Sequence, residues 1–72
     1  MNSTRALLHE LATNDANQAV RRLAIVCLKN GSPQPNTVQL LNSLADQDDQ
    51  ERELRDIARR VAAALKKRAD TR

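Results

Sequence analysis

Four groups of side chains in this sequence are of types that do chemistry, and their spacing decides what each could do. His9 is the single histidine, and an imidazole can titrate near neutral pH or ligate a metal. A metal centre needs further ligands at fixed spacing, and neither a second His nor a Cys stands at such a spacing from His9. It is expected at the surface or at the edge of the core. Cys27 is also single, which excludes an intramolecular disulfide and a multi-cysteine zinc site and fits a reducing compartment. On an apolar helical stripe, its expected role is that of a small packed hydrophobe. The run Asp46, Asp48, Asp49 and Glu51 has the charge density of a cation site but lacks the glycine and closing carboxylate of a calcium loop. Carboxylates at a helix start oppose the macrodipole, and that role suits the run better. No catalytic, cofactor or metal constellation emerges, so the chain reads as non-enzymatic, with no cofactor and no small-molecule substrate.

The fourth group is basic. Arg59, Lys66, Lys67 and Arg68 cluster toward the end of the sequence, and clustered Lys and Arg are all that phosphate contact requires. With no Phe, Tyr or Trp in the chain, base stacking is excluded. Glu51 with Arg55, and Asp56 with Arg60, are favourable four-residue pairs on a helix and partly neutralise two of the arginines. A helix-turn-helix placed over the middle of the chain puts Pro33 and Pro35 in its turn and at the start of its recognition helix, with Val38 one place out of register. Nucleic-acid binding through Arg59, Lys66, Lys67 and Arg68 is therefore the alternative reading of function.

The elements that must position these residues follow from composition and periodicity. At 72 residues without aromatics, the expectation is one small domain whose core is built from Leu, Val, Ile, Ala and Cys. Such a core suits packed helices better than a pleated sheet. A first segment over about 4–13 takes Ser3 as N-cap and puts Leu7, Leu8 and Leu11 on one face. A second begins with Asp15 and Gln18 in a capping box, carries Val20, Leu23, Ala24, Cys27 and Leu28 at helical spacing, and ends near Lys29 or Asn30. There Gly31 is free to turn left-handed, and Pro33 and Pro35 cannot continue the helix. A third takes Asn36 and Gln39 as its capping box and presents Val38, Leu41, Leu44 and Ala45, with Leu40 beside them, ending near Asp46. A fourth, capped by Asp48 or Asp49, repeats Leu54, Ile57, Ala58, Val61, Ala62 and Leu65 at spacings of three and four. The prediction is all-α: four short helices in two hairpins, at about 3–30 and 36–69, within a single domain spanning 1–72. The apolar run in "RRLAIVCL" is too short and starts too late for a signal peptide, and no stretch approaches a membrane span. A cytoplasmic chain with no membrane association is expected.

"LLHELATNDANQAVRRLAIVCL" lies over "LLNSLADQDDQERELRDIARRVAAAL" with little adjustment. Leu7, Leu8 and Leu11 match Leu40, Leu41 and Leu44; after one inserted residue, Val20, Arg21 and Ala24 match Leu54, Arg55 and Ala58. The leucine pair, the Asp-rich turn and the Val/Leu-Arg followed by Ala resemble the HEAT-repeat family of α-solenoids. The resemblance implies that Asp15, and Asp48 or Asp49, cap second helices. It also implies that Val20 and Ala24, like Leu54 and Ala58, face the partner helix, and that Arg21 and Arg55 tie neighbouring units. A small four-helix bundle predicts the same helices. Two units leave one face of an open stack uncovered. The expected function is a non-enzymatic interaction or adaptor module that docks another protein or its own copy as a homo-oligomer. Ile25 and Leu40 are the expected apolar contacts, with Arg22, Arg59 and Lys66 at the rim.

Overall fold

The apolar residues recur at three and four positions, so each segment buries a stripe when it coils into a helix. The computed structural model describes residues 3–70. Four helices follow in order: α1 (Ser3–Asn14), α2 (Gln18–Lys29), α3 (Pro35–Ala45) and α4 (Arg52–Asp70), with no strand among the described residues. α1 packs on α2 and α3 on α4, giving two hairpins. These join mainly through α2 and α4, while α1 touches α3 lightly. The result is a slab of 35 × 25 × 15 Å, with the thin dimension set by helix diameters.

The core lies where the hairpins meet. Ala24, Ile25 and Leu28 of α2, Leu41, Leu44 and Ala45 of α3, and Leu54, Ala58, Val61, Ala62 and Leu65 of α4 are buried, with Leu8, Leu11, Val38 and Ile57 packed against them. The fourth stripe is as expected from its spacing. The first is not: Ala12 is the buried residue of α1, and Leu7 is 57% exposed. α1 is covered on the side toward α2 and α3 only, so an alanine at the close approach is buried while a leucine of the same stripe faces outward.

The helix ends also differ from the sequence reading. α2 is capped by Asn17, in extended conformation, whose side chain accepts from the N–H groups of Ala19 and Val20. Asp15 instead accepts the Asn17 N–H at 3.0 Å. The carboxylate thus tightens the turn and leaves the capping to the amide nearest the helix. Gly31 does not turn left-handed, since no described residue has positive φ. α2 closes through Asn30, whose N–H donates to the Cys27 carbonyl, followed by the Gly31 N–H to the Leu28 carbonyl. α3 starts at Pro35 in the first turn after Gln34, which makes no side-chain cap bond. Proline's missing donor costs nothing there, so Asn36 is inside the helix and is not its cap. Asp48 and Asp49 lie exposed in the turn ahead of α4, whose first carbonyl acceptor is Glu51, bonded by the Arg55 N–H. The cap proposed for Ser3 concerns a side chain outside those described.

Candidate functional interface

α2 is covered on two sides, by α1 and α4, and open on the others. Its inner side is set by Ala24, Ile25 and Leu28, all buried. Ile25, expected as an apolar contact for a partner, is fully buried in the core and cannot serve as one. Periodicity places it at the edge of the α1-facing stripe, and the second hairpin covers that edge. Leu40 is half-buried. Leu23 and Cys27, expected inside, are exposed on the side of α2 away from the second hairpin. Val26 is exposed as well, so the large exposed hydrophobics among the described residues are Leu7, Leu23 and Val26, all on the first hairpin. Spacing alone could not find them, since one apolar type serves both covered and open sides.

Beside this surface, Thr4, Arg5 and Leu8 of α1 and Cys27, Asn30, Gly31 and Ser32 line a shallow cleft of about 310 Å³. The cleft continues the open side of α2 onto α1.

The cations have distinct surroundings. Arg22 donates from Nη1 to Glu51 Oε1 at 2.6 Å, a half-buried pair that ties α2 to the start of α4. Arg59 donates to Asp56 at 3.3 Å and to the Ala45 carbonyl at 3.5 Å. Arg68, although exposed, donates to the Lys29 carbonyl at 2.6 Å, closing the end of α2 onto the end of α4. Lys66 and Lys67 are exposed on α4. The expected basic quartet therefore divides: Arg68 ties the hairpins together, Arg59 bonds Asp56 and the end of α3, and Lys66 and Lys67 lie exposed.

The matched arginines behave alike. Arg21 Nη1 donates to the Asp15 carbonyl at 2.5 Å, and Arg55 Nε to the Ala45 carbonyl at 3.3 Å. Each folds from a second helix back onto the main chain at the close of the hairpin's first helix or in the turn after it.

On α1, His9 Nε2 lies 2.9 Å from Oγ1 of Thr37, the one buried polar side chain among the described residues. This pairing makes the light α1–α3 contact a polar one. Burial, and then the Arg5 guanidinium, hold the imidazole below its ordinary value of 6.5. Among the described residues, no group of three or more His, Cys, Asp or Glu could hold a metal ion, and no helix is long and apolar enough to cross a membrane.

No known protein family, curated protein or solved structure matches the chain.

Proposed function

We propose that this protein is a non-enzymatic helical interaction module that docks another protein or its own copy through an apolar surface with a charged rim. The observation that carries this reading is the confinement of exposed Leu7, Leu23 and Val26 to the first hairpin. Apolar side chains grouped on one side of a small domain are the kind of patch that marks a docking surface. The contact set changes accordingly: Leu7, Leu23 and Val26 take the place of Ile25, while Arg22 serves through its ion pair with Glu51. The resemblance to HEAT-like units belongs to the same proposal. Arg21 and Arg55 bond alike, but each to the main chain of its own hairpin rather than to the neighbouring unit as the resemblance implied.

The test is capture from a native lysate by the immobilised chain, with and without nuclease. Replacing Leu23 by Asp should abolish capture with helicity retained, because a charge on an apolar contact is left desolvated. Capture unchanged by Leu23→Asp would overturn the reading.

A second reading rests on α4, which carries seven basic and three acidic side chains, with Arg59, Arg60, Lys66 and Lys67 exposed. Such a helix could contact the phosphates of nucleic acid. Binding would then fall steeply with salt, and changing Arg59, Lys66 and Lys67 to Gln should lower the slope by about one unit per lost contact. Nuclease-resistant capture with no salt-sensitive affinity for DNA or RNA would sink this second reading.

A further inference from the structure

Charge is sorted along the length of this fold. Arg22 joins the start of α2 to Glu51 just ahead of α4, and Arg68 joins the end of α4 to the Lys29 carbonyl at the end of α2. The two helices therefore run in the same direction between two ends of the slab. At the starting end stand Asp15, Asp46, Asp48, Asp49, Glu51 and Glu53, in the turns ahead of α2 and α4 or in the first turn of α4. Cations at that end are engaged locally: Arg21 on the Asp15 carbonyl, Arg22 on Glu51, and Arg55 and Arg59 on the Ala45 carbonyl, with Arg59 also on Asp56.

The closing end has the opposite character. Lys66 and Lys67 stand exposed in the same turn of α4 as Arg68, and Lys29 is exposed at the end of α2. Arg5 comes to this end across the cleft, beside the Asn30, Gly31 and Ser32 that follow Lys29. Asp70 is the acidic side chain of the last turn of α4. The macrodipoles of α2 and α4 account for Lys29, Lys67 and Arg68, since each lies in a last turn. They do not account for Arg5, which sits in the first turn of α1, where a cation opposes the dipole and no acidic residue offsets it. α3 also starts with neither an acidic residue in its first turn nor a side-chain cap. Local helix electrostatics thus leaves this end with positive charge that an anion would neutralise.

We propose that this end of the molecule, through Arg5, Lys29, Lys66 and Lys67, seats on the phosphates of a nucleic-acid duplex. This contact deepens the phosphate-binding reading and rests on it, moving the surface from the length of α4 to its end and across onto the first hairpin. A duplex suits it better than a single strand, because a chain without aromatics cannot stack bases. A bilayer would want apolar side chains set among the cations, whereas Thr4, Asn30 and Ser32 stand there, with polar groups of the kind that bond phosphate oxygens. The far acids do not oppose the contact. The 19 residues of α4 span about 28 Å between the two ends, several times the screening length of about 8 Å at physiological salt.

Lys29 decides the matter, because it lies on α2 and outside the basic helix. Anisotropy of a labelled DNA duplex titrated with the full chain should show affinity falling about a hundredfold between about 50 and 200 mM salt, as four phosphate contacts require. Lys29→Gln, and independently the joint change of Lys66 and Lys67 to Gln, should lower the salt slope by about one unit per lost contact with unchanged circular dichroism. Arg59→Gln should leave the slope unchanged. Absence of salt-sensitive binding to the duplex overturns this contact together with the phosphate-binding reading. A slope that drops with Arg59→Gln and is indifferent to Lys29→Gln and Arg5→Gln overturns this contact and leaves that reading standing on α4 alone. Tighter binding to phosphatidylserine vesicles than to the duplex at equal salt overturns both in favour of a lipid surface.

Discussion

His9 shows how a residue of ordinary type acquires a role from its neighbours. Its ring sits between the buried Thr37 hydroxyl and the charge of Arg5, and both burial and that charge disfavour the imidazolium. In the unfolded chain the ring regains its ordinary proton affinity. The unfolded state therefore binds more protons between pH 6.5 and the lower folded value. Stability contributed by this group is complete above that window and is lost as pH falls through it. Denaturation midpoints measured on either side of the window should show the loss, and His9→Asn should flatten that part of the profile. An equal pH dependence in the variant would assign the slope to other groups.

At the scale of the element, helix ends depend on which donor or acceptor geometry brings into reach. Asn17 bonds two N–H groups of the first turn of α2, so Asn17→Ala should cost about 1 kcal/mol, whereas Gln18→Ala should leave the midpoint nearly unchanged. Urea denaturation of the two variants checks the assignment. Gly31 gives a second test because its φ is not positive, and an added Cβ would meet only the Leu28 carbonyl at 3.4 Å. Gly31→Ala should therefore be neutral or stabilise by up to about 1 kcal/mol through the unfolded chain. A loss of stability in the thermal midpoint would mean that Gly31 needs the freedom the sequence suggested for it.

In the whole molecule, small residues set how closely the helices approach. Ala58 is fully buried on α4, which packs against both α2 and α3. Ala58→Leu should overpack that junction and cost about 1 to 3 kcal/mol, a large share of the few kcal/mol available to a chain of this size. The denaturation midpoint measures it, and an unchanged value would place Ala58 outside the junction. Ile25 and Leu23 make the complementary contrast, since they stand two residues apart on α2 with opposite fates. Ile25→Asp should unfold the chain by placing a charge in the core, while Leu23→Asp should leave it helical, and circular dichroism distinguishes the two.

Much of the architecture was legible in the sequence because helices answer to local periodicity. The stripe of Leu54, Ala58, Val61, Ala62 and Leu65 has one inner face whatever it packs against, and the prolines stop α2 wherever α3 lies. The repeated leucine pattern likewise identified the two hairpins, whereas Arg21 and Arg55, expected to tie neighbouring units, fold back on the main chain of their own hairpins. What the sequence could not decide is which apolar side of a helix is covered. α2 carries apolar residues over most of its circumference, and only the docking of α4 on one side buries Ile25 and leaves Leu23 and Cys27 open. The caps fall in the same class. Asp15, Asn17 and Gln18 are all competent in composition, and the path of the turn, set by how α1 and α2 pack, selects Asn17. The candidate interface was hidden for the same physical reason: local spacing determines that a face is apolar, and only the arrangement of neighbours determines that it is bare.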